Sequence, residues 1–180
     1  KKILANPEIQ AVLICASTDH HSKLYIEALR AGKHVFCEKP IDHDVAKIKE
    51  VLDVVKETGM KYQVGFNRRF DHNFKAIQEA VKAGKVGKQQ IIKITSRDPE
   101  PPSIDYVKVS GGIFLDMTIH DFDMVRYLSG AEVEEVYAEG SVTVDPEIGK
   151  AGDIDRRDRE RRQELASRVA PPPPASRDRP

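Results

Sequence analysis

Over the first 66 positions, short apolar blocks alternate with amphipathic stretches. Ala11-Val12-Leu13-Ile14-Cys15-Ala16 is a continuous apolar run ending in Ser17-Thr18-Asp19. That pattern suits a parallel strand buried on both faces. Ser22 is placed to cap a helix that carries Leu24, Tyr25, Ala28 and Leu29 and stops at Gly32. His34-Val35-Phe36-Cys37 predicts a second short strand, halted by Glu38-Lys39-Pro40. Asp42 opens a helix with apolar positions Val45, Ile48, Leu52 and Val55, closed by Gly59. Tyr62 to Phe66 predicts a third strand. Strands and helices in strict alternation, with short connections, predict a parallel α/β sheet.

After Phe66 the rhythm changes. Asp71 starts a helix with Phe74, Ile77 and Val81 that ends at Gly84, and Gln90 to Thr95 reads as a strand. Residues 97–112, with Pro99, Pro101, Pro102, Gly111 and Gly112, predict a long loop. A helix is predicted from Ile113 to Leu128, then one or two strands from Val133 to Val144 around Gly140. This region reads as α+β and stops near Asp155 before a sheet could be completed. The pattern thus divides the chain into 1–66, 67–155 and a remainder, 156–180.

Composition sharpens that last boundary. The 180 residues carry 29 Lys plus Arg and 29 Asp plus Glu. No positive excess is present to drive counterion release, which argues against a nucleic-acid binder. No apolar run approaches the ~20 residues of a spanning helix, so no membrane segment is expected. The neutrality is a sum of unlike parts. Residues 156–180 hold eight arginines against four acidic residues, and every lysine lies before them. The tail therefore carries four excess positive charges and the body four negative. Lacking aromatics and containing Pro171 to Pro174, the tail is expected to be disordered. Its abrupt switch from lysine to Arg/Ala/Pro reads as a changed reading frame or gene-end artefact, with a basic tail for RNA or a partner as the alternative. Position 1 is lysine, from which an incomplete chain is expected. The two cysteines, Cys15 and Cys37, lie in apolar surroundings and predict buried thiols in a reducing compartment. With no secretory signal visible, that predicts a cytoplasmic protein.

Candidate chemistry concentrates on the 113–128 segment. At about 100° per residue from Asp116, His120 falls at about 40°, Asp123 at about −20° and Tyr127 at about 20°. Phe114, Leu115, Met117, Ile119, Phe122, Met124, Val125 and Leu128 fill most of the remaining circumference. A helix apolar nearly all round is expected to be buried, and its one polar stripe must face partners or a cavity. Asp116 and His120, at i and i+4, can touch, and a carboxylate beside imidazole makes a base or acid near neutral pH. A structural Asp–His pair explains the spacing equally well. Glu38-Lys39-Pro40 follows a strand at its carboxyl end, where open α/β sheets bind ligands. Asn67-Arg68-Arg69 could grip a polyol or an anion, or form a surface turn. His120-Asp121-Phe122-Asp123 has metal-like residue types, but only His120 and Asp123 share a face, so no metal site is expected.

Four segments, in this order and spacing, together resemble the glucose–fructose oxidoreductase / inositol dehydrogenase (Gfo/Idh/MocA) family of nicotinamide-dependent sugar and polyol dehydrogenases. They are Val12 to Thr18 with His21, Gly32 to Pro40, Gly65 to Asp71, and Gly111 to Asp121. The likeness covers about residues 1–155 and is strongest to the myo-inositol 2-dehydrogenase branch. It implies the C-terminal half of a Rossmann-type parallel sheet, followed by an incomplete α+β substrate and oligomerisation domain. It further implies that Ala16, Ser17, Thr18 and His21 line the cleft of an NAD cofactor, with NADP left open. Glu38, Lys39 and Pro40 would approach the nicotinamide ribose, the Lys39–Pro40 peptide being cis. Lys39, Asp116 and His120 would be the catalytic set: His120 takes the hydroxyl proton, Asp116 orients it, and Lys39 polarises the oxygen. Asn67, Arg68, Arg97 and Asp98 would contact cofactor or substrate. The substrate would be a small polyol or sugar and the parent enzyme a homo-oligomer.

The glycine-rich dinucleotide turn, G-x-G-x-x-G, is absent from this sequence. The chain is accordingly expected to be a fragment that binds NAD poorly and is inactive alone. Two other functions compete: a truncated scaffold that mediates oligomer contacts, and a manganese phosphoesterase suggested by Asp19-His20-His21. The latter needs aspartates upstream, and Asp19 is the first in the chain.

Overall fold

The computed structural model describes residues 2–154. The expectation of a disordered segment at 156–180 falls outside the described residues. A short helix, α1 (Lys2–Ala5), leads into β1 (Ala11–Ile14), α2 (Thr18–Arg30), β2 (His34–Cys37), α3 (Val45–Thr58) and β3 (Tyr62–Val64). The strands form one parallel sheet in the order β1-β2-β3, with Ala11 opposite His34, Ile14 opposite Cys37, and Cys37 opposite Val64. This matches the alternation in the sequence, with strands shorter than their apolar blocks.

The core lies between the sheet and the two long helices. Ile14, Val35 and Cys37 pack with Tyr25, Ala28 and Leu29 of α2 and Val51 and Val54 of α3. Alternate strand residues point to opposite faces, and the other face is open: Leu13 is 75% exposed. The expectation of a strand buried on both faces is therefore corrected, because among the described residues helices cover only one face. Cys37 is buried, its thiol pushed up to about 12 by burial and the Glu38 charge. Cys15 is exposed, contrary to expectation, since it lies just past the end of β1.

Two helix starts differ from the sequence pattern. Helix α2 begins a turn earlier than expected, after Ser17, and Ser22 lies inside it. Ser22 Oγ instead donates to Asp42 Oδ2 at 2.6 Å. Asp44, not Asp42, caps α3, accepting from the Ala46 N–H at 2.8 Å. Asp42 is 5% exposed and joins α2 to the loop after β2. Its carboxyl lies below the usual range: burial, which would raise it, is outweighed by hydrogen bonds from Ser22 and Asp44 and by the Lys47 charge. Gly59 closes α3 at φ +64°, a left-handed conformation open to glycine.

The second part runs through a 3-10 turn (Asn67–Phe70) into α4 (His72–Lys82), capped by Asp71 as the sequence predicts. Three expectations fail beyond it. Residues 90–95 form no strand, because no neighbouring segment supplies the hydrogen-bond ladder a strand requires. The same holds for 133–144, whose alternating apolar side chains are left exposed, Val136 at 76% and Tyr137 at 83%. The loop at 97–112 contains a helix, α5 (Ile104–Ser110), capped by Ser103. The expected 113–128 helix is two pieces, α6 (Ile113–Asp116) and α7 (Ile119–Ser129). It is also only partly buried: Phe122 is 48% exposed. A last helix, α8 (Pro146–Ala151), packs on α5. No helix among the described residues is long and apolar enough to cross a membrane.

Leu29 is fully buried in the α2–sheet core. Leu29→Ala is expected to cost about 2–5 kcal/mol in urea unfolding. Leu24→Ala, at a residue 37% exposed, is expected to cost less. Equal losses would show that the core does not lie there.

Candidate active site

Parallel strands end side by side, so the residues that follow them gather at one edge. Here the β1 end supplies Ala16 and Ser17, the β2 end Glu38 and Lys39, and the β3 end Gly65 and Phe66. The register is carried past the strands: Glu38 N–H donates to the Ile14 carbonyl at 3.0 Å, and Gly65 N–H to the Cys37 carbonyl at 2.7 Å. Gly65 also leaves room for Glu38, since a side chain there would place its Cβ 3.0 Å from Glu38 Oε2.

The Lys39–Pro40 peptide is cis. Lys39 Nζ reaches out of the sheet to the second part of the chain, donating to Asp116 Oδ1 at 3.0 Å and to the Asp116 carbonyl at 2.5 Å. Both side chains are largely shielded, at 17% and 26% exposure. Asp116 Oδ1 also accepts from the Tyr106 hydroxyl at 2.9 Å. Asp116 makes no hydrogen bond to His120. The break at Met117-Thr118 separates α6 from α7, so the i,i+4 geometry of one continuous helix does not apply. His120 instead meets Phe66 edge to face, with ring centroids 6.4 Å apart. Its Nδ1 is buried without a hydrogen-bond partner. Burial, then the Lys39 and Arg68 charges, hold the His120 imidazole below its ordinary value, against the opposing pull of Asp121 and Glu38. At neutral pH it is therefore a neutral base with a free nitrogen.

The remaining candidates divide. Ala16 and Ser17 are exposed at the strand edge and Thr18 half-buried. Ser17 Oγ contacts His20 Nδ1 at 3.1 Å and does not cap α2. His21 does not line an open cleft: it is 1% exposed. Its Nε2 sits 2.8 Å from the Ala16 carbonyl and its Nδ1 2.7 Å from the Pro40 carbonyl. It ties the β1 and β2 loops together from beneath. Arg68 is not free to grip a ligand, because its guanidinium pairs with Asp121, which also accepts from Ser96 Oγ at 2.7 Å. Asn67, Arg97 and Asp98 are exposed and make no hydrogen bond to the Lys39 cluster. Among the described residues no group of three or more metal-ligating side chains is present.

Sequence patterns missed Tyr106 and the paired arginines and aspartates. Arg69 forks onto Asp123, with Nε 2.8 Å from Oδ2 and Nη2 2.6 Å from Oδ1, and stacks over Tyr127 at 5.3 Å. These two pairs fasten the 3-10 turn to α7 and so aim His120. Their partners lie more than fifty residues apart, and no local periodicity signals them.

Two family models match the chain. The oxidoreductase family, NAD-binding Rossmann fold, matches residues 1–66, and the GFO/IDH/MocA C-terminal domain matches 74–160. A myo-inositol 2-dehydrogenase from Thermotoga maritima is 56% identical over 154 residues, which is 86% of this chain and 46% of that protein. The crystal structure of a probable dehydrogenase from the same organism superposes with a TM-score of 0.82 at 56% identity, covering 84% of this chain and 46% of that one. A scyllo-inositol dehydrogenase from Lactobacillus casei, solved with bound NAD(H) and scyllo-inositol, gives a TM-score of 0.71 at 36% identity, covering 84% and 45%. The chain spans about half the length of the curated relatives it matches.

Asp123 is 6% exposed and, among the described residues, its only side-chain partner is Arg69, itself 39% exposed. Asp123→Ala is expected to cost about 1–3 kcal/mol, reduced by the solvent that reaches Arg69. A change within about 0.5 kcal/mol in chemical denaturation would place the pair among ordinary surface contacts.

Proposed function

The chain belongs to the GFO/IDH/MocA oxidoreductase family, and on that premise we propose that it is part of a nicotinamide-dependent dehydrogenase. The reaction is oxidation of a secondary hydroxyl of a cyclic polyol or sugar, as in a myo-inositol 2-dehydrogenase. The observation that carries this is the Lys39–Asp116 pair at the carboxyl edge of a parallel sheet, with His120 close enough for the Lys39 charge to act on it. Two of the relatives named above are inositol dehydrogenases.

The residues present fit the nicotinamide end of the cofactor. Glu38 holds its carboxylate over Gly65 at the strand ends, the acceptor a ribose hydroxyl needs. Ala16, Ser17 and Thr18 border the same edge. NAD, when bound, supplies the hydride acceptor. Lys39 polarises the reacting oxygen and stabilises the negative charge that develops on it. His120, neutral, takes the hydroxyl proton. Asp116 fixes the Lys39 ammonium rather than the imidazole, a change from the role expected of it. Asn67, with the Arg97-Asp98 segment, borders the substrate side. Arg68 acts indirectly, by holding Asp121. The cysteines, one exposed, suit a cytoplasmic, reducing location, and the exposed apolar side chains of Val133, Val136 and Tyr137 suit a homo-oligomeric enzyme.

Formation of NADH from NAD on addition of myo-inositol tests this. Lys39→Ala and His120→Ala are each expected to lower kcat by about 10²–10⁴-fold. Turnover that survives both substitutions in the enzyme of which this chain is part, or no polyol oxidation by that enzyme, counts against the proposal. The pH profile gives a second test. His120 is depressed, so it stays deprotonated above the ordinary imidazole value of about 6.5. The acid limb of kcat/KM should therefore fall below that value. A limb above it would assign the proton transfer to another group.

A further inference from the structure

We propose that Tyr106 is a positioning residue for this site, holding Asp116 Oδ1 on the Lys39 side so that Oδ2 alone is left to face a bound hydroxyl. The inference rests on the dehydrogenase function proposed above. Tyr106 stands on α5, whose start is fixed by the Ser103 cap and whose inner side is anchored by Val107 and Ser110, at 3% and 7% exposure. From there its hydroxyl donates to Asp116 Oδ1 at 2.9 Å, while Lys39 Nζ donates to the same oxygen at 3.0 Å. Two donors fill the two lone pairs of one carboxylate oxygen. Among the described residues Oδ2 accepts no hydrogen bond, and neither does His120 Nδ1 take part in one.

The carboxylate needs this second donor. Asp153 lies close enough that burial and the Asp116 charge together raise its own carboxyl above the ordinary value. The charged groups around Asp116 are thus Lys39, which attracts it, and Asp153, which repels it. The Tyr106 hydroxyl adds direction without adding charge. Partial burial and the acidic partner push the Tyr106 phenol up to about 12, so it stays a donor across the working range of the site. At 46% exposure, Tyr106 also keeps part of its surface open to solvent beside Asp116.

The contact can be read in the intact chain without turnover. Tyrosine labelled at Cζ gives one carbon signal for each of the five tyrosines, and loss of a signal in Tyr106→Phe identifies that of Tyr106. The expected alkaline midpoint is about 12, moving down toward the ordinary value of about 10 in Asp116→Asn. Asp116→Ser serves the same purpose should the first variant unfold. A Tyr106 midpoint at the ordinary value and unmoved by either substitution overturns the proposal. In inositol oxidation, Tyr106→Phe is expected to lower kcat about tenfold with KM changed by less than about twofold. It should add nothing to Asp116→Asn, as residues acting through one contact do. Undiminished kcat in Tyr106→Phe also overturns the proposal. A coupled titration, with no inositol turnover by the enzyme of which this chain is part, supports the Tyr106–Asp116 contact and counts against the dehydrogenase function alone.

Discussion

Among the described residues, the Lys39–Asp116 ion pair joins the sheet edge to the second part of the chain. Lys39 leaves the end of β2 and meets Asp116, 77 residues further on, through both its carboxylate and its carbonyl. A partly desolvated lysine is costly without a partner, and a carboxylate alone in the same place is equally so. Each therefore constrains the other. The sheet edge must stay beside the α5–α6 segment, and the helical break at Met117-Thr118 must leave Asp116 turned back toward the sheet. His120 then begins the next helix with its Nδ1 unclaimed.

The supports around that pair share a logic. Polar side chains beneath the strand ends tie loop to loop, as His21 does between the Ala16 and Pro40 carbonyls and Ser22 does with Asp42. Charged pairs on the other side tie the 3-10 turn to α7, through Arg68 with Asp121 and Arg69 with Asp123. The arginines that looked free to hold an anion are thereby committed to structure. Beside the Lys39–Asp116 pair, one oxygen of the Asp116 carboxylate accepts no hydrogen bond among the described residues, and the His120 Nδ1 makes none. Close packing makes the same point in backbone terms. Gly112, at φ +81°, lies so near the chain at 152–153 that a Cβ would sit 2.6 Å from the Asp153 carbonyl.

Legibility in the sequence followed the range of the interactions. The three strands, the two helices between them, the Asp71 cap and the Gly59 stop were all readable, because each depends on residues a few positions apart. The strands expected at 90–95 and 133–144 have the β-branched residues that suit strands, yet composition is only half of what a strand needs. The other half is a neighbour that supplies the ladder, and none is provided within the described residues. The single helix expected over 113–128 failed for a related reason. Its apolar periodicity is continuous, but the helix breaks at Met117-Thr118, next to the Asp116 carbonyl that accepts from Lys39.

The sequence by itself determined the parallel α/β order, the family likeness and the identities of Lys39, Asp116 and His120 as the candidate set. Those depend on local pattern and on residue type, which a linear string contains in full. Only the tertiary structure decided how the three are wired. It gave Asp116 to Lys39 and Tyr106 instead of to His120, turned His21 inward, and neutralised Arg68. Each of these is settled by which charge or donor lies nearest across tens of residues, and that distance exists only once the chain has folded.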